Sequence, residues 1–236
     1  MRVALCQMNI AYGEPHKNLE KMLRMMEVPA DLYVFPELSL TGYAGEKLDV
    51  NTEDARRELL ATGKTLIYGD IRDSHNVAVA VETGKEVGVY RKVHLFSHGG
   101  ENEFFKSGER YERFQMEDMS ILPLICYDLR FPVGIYENSA DVHMIVVIAN
   151  WPMERIEHWL TLLRARSIEN QRFVIGVNRV GRTRWIYGGC SCAYDPWGRA
   201  LNTPHHHEDV ILVEVNLEAI EEIKTQFDTR RDERFI

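Results

Sequence analysis

A mixed α/β layered domain is the fold class this sequence predicts, and three observations predict it. Strand-like and helix-like stretches alternate along the chain. "SILPLICYD" (120–128) and "DVHMIVVIAN" (141–150) are nearly continuous apolar runs, the mark of strands covered on both faces. "NVAVAVE", the turn "TGK" and "EVGVYRK" (76–92) read as a hairpin with β-branched alternation on both arms.

Taken in order, "RVALCQM" (2–8) is a short buried strand. "NLEKMLRMMEV" (18–28) sets Leu19, Met22, Leu23 and Met26 at helical spacing, which turns one stripe inward. "ADLYVFPE" is a strand stopped at Pro36–Glu37, and "EDARRELLAT" a helix ending at Gly63, a C-cap glycine. "TLIYGDI" returns as a strand before the hairpin. "RIEHWLTLLRARSIENQ" (155–171) carries Ile156, Trp159, Leu160 and Leu163 on one helical face. Strands "RFVIGVN" and "VILVEV", helix "LEAIEEIKTQF" and a "DPWG" turn at 195–198 complete the order. No linker, repeat or low-complexity segment interrupts it, so one domain over 1–236 is the economical reading.

The 236 residues carry a formal charge of −8. An acidic balance argues against nucleic acid as a partner. No stretch is long and apolar enough to span a bilayer, and the N-terminal run is too short for a signal peptide. Four cysteines without a paired framework suit a reducing compartment, so cytoplasm is expected.

Glu37, Lys92 and Cys126 share one feature. Each closes an apolar strand-like run: "LYVFPE", "EVGVYRK" and "ILPLIC". Chemistry collects where strands end, because the scaffold is rigid there and the edge open. A thiol titrating near ~8.5 needs help at neutral pH. A glutamate takes its proton and returns it to a leaving amine. An ammonium, with the Tyr127 N–H, holds an oxyanion. Judged one at a time, the same residues also read as a buried thiol, a strand stop and a solvated edge lysine.

"FPELSLTGY", "YRKVHLF" and "CYDLRFP" together resemble the signature segments of the nitrilase (carbon–nitrogen hydrolase) superfamily. Lys92 lies 55 residues past Glu37, and Cys126 another 34 beyond it. The resemblance continues through "ANWP" (149–152), "HWLTLLRARSIENQ" (158–171) and "NRVG" (178–181). It implies a four-layer α-β-β-α sandwich that pairs into a homodimer through sheet-covering helices. It also implies a Glu-Lys-Cys triad: Glu37 as general base, Lys92 as oxyanion holder, Cys126 as nucleophile. A second glutamate orients the lysine or the attacking water. Glu101 in "SHGGENEFFKSG" is its counterpart, with Glu103 as rival.

The pattern looks closest to the compact Nit-type amidases and their omega-amidase branch, which release ammonia from 2-oxoacid amides such as 2-oxoglutaramate. Such a substrate calls for a cation at its carboxylate end. Arg130 is the candidate, its alternative being a structural ion pair with Asp128 or another carboxylate. Tyr43 and Trp151 either line the pocket or pack. Alternative substrates are another small acid amide, a deaminated-glutathione-type amide, an N-carbamoyl compound or a nitrile. A non-catalytic binding protein of the same fold is the remaining alternative.

"PHHHED" (204–209) reads as a loop, because three consecutive histidines cannot all face one ion on a regular strand. "CSC" (190–192) lacks a second cysteine pair for zinc, and Cys6 reads as core. No phosphate or dinucleotide fingerprint occurs, so no cofactor and no metal are expected. The charged segment 228–236 is either an arm on a partner subunit or a frayed tail.

Overall fold

In a strand, successive side chains leave opposite faces, and here both faces of the long strands are apolar. The computed structural model describes residues 1–236 apart from Ala44, Lys47, Phe235 and Ile236. Its strands are β1 (Arg2–Gln7), β2 (Leu32–Val34), β3 (Leu66–Arg72), β4 (His75–Glu82), β5 (Lys85–Arg91), β6 (Phe114–Gln115), β7 (Ser120–Ile125), β8 (Met144–Ala149), β9 (Phe173–Asn178), β10 (Val180–Arg182), β11 (Ile186–Gly188), β12 (Cys192–Tyr194) and β13 (Asp209–Glu214). Its helices are α1 (Pro15–Met25), α2 (Glu53–Ala61), α3 (Pro132–Asn138), α4 (Ile156–Asn170) and α5 (Glu218–Gln226).

Two sheets result, in the orders β13-β1-β2-β3-β4-β5 and β12-β9-β8-β7-β6, with β10 and β11 as a small separate ribbon. The centres β1-β2-β3 and β7-β8-β9 are parallel; the outer strands are antiparallel. Alternation explains the layering. Val3, Leu5, Val34 and Ile67 face Ile121, Ile125, Val146, Ile148 and Ile175 across the sheets. Their neighbours Ala4, Cys6, Tyr33 and Tyr68 turn the other way, onto Leu19 and Met22 of α1 and Leu59 of α2. On the far side Leu122, Leu124, Ile145 and Val147 meet Ile135 of α3 and Trp159 and Leu163 of α4. The stack is therefore α-β-β-α, the four layers expected. Each fully buried Leu, Ile or Phe in it contributes about 1.5–3 kcal/mol.

Most elements lie where their patterns place them, and the differences have local causes. α1 begins earlier than its apolar stripe, at Pro15, which is pre-set for a first helical position. Gly63, at φ +66°, ends α2 as its left-handed cap. "CYD" leaves the strand predicted over 120–128 and opens a 3-10 turn over Cys126–Arg130. α3 was not predicted: seven residues carry too little periodicity to register, although Pro132 opens it. β6 and β10 to β12 are likewise too short to read.

The start of the charged C-terminal segment lies on its own chain. The Gln171 side chain binds Phe227 O and accepts from Thr229, and Arg230 donates to Tyr136 O at 2.8 Å and Ser139 Oγ at 2.7 Å. Residues 235–236 of that segment lie outside the described residues. Among those described, no helix is long and apolar enough to cross a membrane.

Candidate active site

The ends of β2, β5 and β7 meet at one pocket. Glu37 stands three residues past β2, Lys92 directly after β5, and Cys126 directly after β7. Two sheets packed face to face bring these ends together, although the chain separates them widely.

Lys92 Nζ lies 2.7 Å from Glu37 Oε1 and 2.9 and 2.8 Å from the two Glu101 oxygens. All three side chains are at most 5 % exposed. Asn76 on β4 joins them: its Nδ2 donates to Glu37 Oε1 at 2.7 Å and to Glu101 Oε1 at 2.9 Å. Backbone N–H groups also donate to these carboxylates, Asn150 to Glu37 Oε2 at 2.8 Å and Phe96 to Glu101 Oε2 at 2.6 Å. Burial alone would lower the Lys92 ammonium; Glu101 and Glu37 more than offset it and hold its pKa well above the ordinary lysine value. Glu103, the rival, is exposed.

Gly69 explains how Glu37 reaches this place. A Cβ on Gly69 would stand 2.1 Å from Leu38 N and 2.7 Å from the Glu37 carbonyl carbon. Ser39 Oγ, donating to Gly69 O and accepting from Gly69 N–H, fastens the crossing. Gly69→Ala is therefore expected to push the Glu37 backbone outward and cost about 3 kcal/mol, at the upper end of overpacking. A thermal melt checks this.

Cys126 sits in a left-handed conformation, φ +48°, which non-glycine residues adopt rarely. Asp128 secures it. Its Oδ2 accepts from Ile125 N–H and Tyr90 OH, its Oδ1 from the His94 N–H. Buried Arg166 of α4 holds the far end of the turn through Leu129 O. The half-buried Cys126 is the most accessible of the four free cysteines; the other three are buried. Desolvation and the Glu37 carboxylate push its thiol well above its ordinary value, against the pull of Lys92 and the Asn150 N–H. Tyr127 is the second residue of the turn, so its N–H is among those a helical turn leaves free.

These groups line one pocket. Arg130, Tyr43 and Trp151 are on its wall. The ion pair considered between Arg130 and Asp128 is absent: among the described residues no carboxylate pairs with Arg130. Its guanidinium lies 4.7 Å from the Trp151 ring centroid and 3.2 Å from His158 Nδ1. Tyr43 donates to Gly99 O at 3.0 Å and stacks on Trp185.

Sequence reasoning missed Asn76, Asn150, Arg155, Trp185 and Tyr187. The last four line the pocket, and the first joins two carboxylates. Both ends of the Asn150 amide are buried without a partner among the described residues, so their hydrogen bonds remain for what the pocket receives. "ANWP" carries that asparagine in sequence, but nothing local tells a free amide from a satisfied one.

Comparison with known proteins agrees with this architecture. The carbon–nitrogen hydrolase family pattern matches residues 2–225. The chain is 32% identical to 2-oxoglutaramate amidase of Bacillus subtilis, with 98% of each chain covered. It is 32% identical to omega-amidase YafV of Escherichia coli, covering 98% of this chain and 96% of that one. A CN-hydrolase superfamily protein of Xanthomonas campestris superposes with a TM-score of 0.89 at 27% identity, over 100% of this chain and 98% of the other. The fold, the family pattern and these full-length likenesses agree: the chain belongs to the carbon–nitrogen hydrolase family, the nitrilase superfamily.

Proposed function

We propose that the protein is an omega-amidase that hydrolyses 2-oxoacid amides such as 2-oxoglutaramate to the acid and ammonia. The observation that carries the substrate class is the Arg130 guanidinium on the pocket wall, without a carboxylate partner among the described residues. A free guanidinium there suits a substrate with an acid at one end. The full-length likeness to a 2-oxoglutaramate amidase supports the same reading.

The chemistry follows from the cluster. With the thiol pKa raised, Cys126 rests protonated, and Glu37 takes the proton as sulfur attacks the amide carbon. The oxyanion forms between Lys92 Nζ and the Tyr127 N–H. Glu37 then hands the proton to the leaving nitrogen, ammonia departs, and a thioester remains. Glu37 next draws a proton from water, which attacks the thioester; the acid is freed as the C–S bond breaks, and Glu37 returns that proton to the departing sulfur. Glu101 keeps Lys92 charged and aimed throughout.

Ammonia release from 2-oxoglutaramate, set against a panel of neutral amides, nitriles and N-carbamoyl acids, tests the assignment. A clear preference for the 2-oxoacid amide is expected; faster release from neutral amides would overturn it. Arg130→Gln should raise KM for the acid substrate about 10- to 100-fold, the worth of a charge-assisted hydrogen bond, and barely alter KM for a neutral amide.

We further propose that the chain acts as a cytoplasmic homodimer joined across α3 and α4. Val133 and Ile168 project from these helices at 69% and 50% exposure. Ile168 borders the turn bearing Trp197, which stacks on the exposed Phe227. This is an apolar patch of the kind that marks interfaces. Light scattering should give twice the chain mass, and Ile168→Asp should shift it toward the monomer.

A further inference from the structure

The loop "PHHHED" has no part in the pocket, yet its arrangement is specific. Gln7, fully buried on β1, donates through Nε2 to His205 O at 3.0 Å and to His207 O at 2.7 Å. One nitrogen within 3.0 Å of both carbonyls gathers them to a single point, and the backbone bends at His206 and His207. His206 reaches toward β11, its Nδ1 bonding Gly188 O at 2.7 Å with Cys190 Sγ 3.5 Å away. Half-buried His205, its Nδ1 3.4 Å from Gln7 Nε2, and exposed His207 lie together, their rings stacked 3.8 Å apart at 13°. Asp209, two residues on, reaches both: its Oδ2 lies 3.4 Å from His205 Nε2 and 3.9 Å from His207 Nε2. The three residues' donor atoms all fall within 4.8 Å of one another.

We propose that His205, His207 and Asp209 form a binding site for a divalent first-row transition ion, zinc foremost. Zinc takes imidazole nitrogens and carboxylate oxygens at about 2.0–2.2 Å, which sets tetrahedral donors about 3.3 Å apart. The His205–Asp209 edge already has that length. His207, with 72% of its side chain exposed, is free to swing the remaining distance. Water completes the open side. Two imidazoles with one carboxylate suit zinc, copper or nickel better than magnesium or calcium, which want oxygen donors. The expectation that three successive histidines cannot share an ion stands; the structure selects the first and third and supplies the acid.

Such an ion would act as a clamp. It would pin the loop to the start of β13, and the same loop holds Cys190 N–H through His205 O and Gly188 through His206. Gly188 ends β11, whose Tyr187 lines the pocket, so the clamp backs one wall of the active site.

Calorimetric titration of untagged protein with zinc chloride tests the proposal, alongside His207→Ala and Asp209→Asn. The wild type is expected to bind about one ion at this site, and each variant at least about tenfold more weakly. Zinc should raise the melting temperature of the wild type and not of His207→Ala. With cobalt as probe, the spectrum should lack the charge-transfer band of a thiolate ligand, which separates this site from Cys126 and Cys190. Equal affinity in the variants, or a thiolate band, would overturn the assignment.

Discussion

Replacing Cys126 by alanine should lower ammonia release at least about 10⁴-fold while the protein stays folded. Removing a nucleophile removes the covalent route altogether, and the oxyanion donors alone recover little of the rate. The folded state loses only one half-buried sulfur, and alanine meets the same φ of +48° as cysteine does, so the melting temperature should scarcely move. Mass spectrometry of the wild type during turnover should show an acyl adduct on Cys126, absent from the variant. Iodoacetamide should modify Cys126 before Cys6, Cys190 and Cys192, which are 0, 4 and 0% exposed. Equal rates for Cys126→Ala and wild type would sink the mechanism.

Lys92→Met should have the largest effect on stability as well as a large one on rate. Glu37 and Glu101 both bond the Lys92 ammonium within 2.9 Å, and all three side chains are buried. Without the ammonium, two buried carboxylates face each other across Asn76, and one must take up a proton. Breaking a buried ionic cluster in this way costs about 3–5 kcal/mol. For a chain of this size the melting temperature should fall by about 10 °C. Activity should fall at least about 10²- to 10³-fold, the usual worth of one oxyanion donor. The pH dependence has a definite sign. The folded protein holds the Lys92 pKa above its unfolded value near 10.5, so the cluster's stabilisation is complete below that pH. It is lost as pH rises through the raised value. The wild type should therefore weaken in strong alkali by a component that Lys92→Met lacks. Chemical denaturation at neutral and alkaline pH measures both. Glu101→Gln, which retains an acceptor for the Phe96 N–H, should cost less than Lys92→Met.

The sequence by itself determined a layered α/β domain and the chemical cast. The covered runs "RVALCQM" and "DVHMIVVIAN" specify strands buried on both faces; helices on both sides would bury them equally well, and the second sheet came from the family resemblance. An acid, an amine and a thiol at three strand ends are legible because a strand end is a local event. What the tertiary structure alone decided is which polar groups meet. Asn76 gives no local sign of its role, because that role depends on β4 passing beside the Lys92 end of β5 and beneath the loop that carries Glu101. In sequence, Arg130 could face a substrate or pair with Asp128; the fold turns Asp128 inward to secure the nucleophile's turn, leaving the arginine to the pocket. The histidines of "PHHHED" look equivalent until Gln7, almost two hundred residues earlier, fixes the backbone, with His205 stacked on His207 and His206 bonded to Gly188. Hydrophobic periodicity is written along the chain because burial acts on one residue at a time. A hydrogen bond needs two groups brought together, and the partners here lie far apart in order and are joined only by packing.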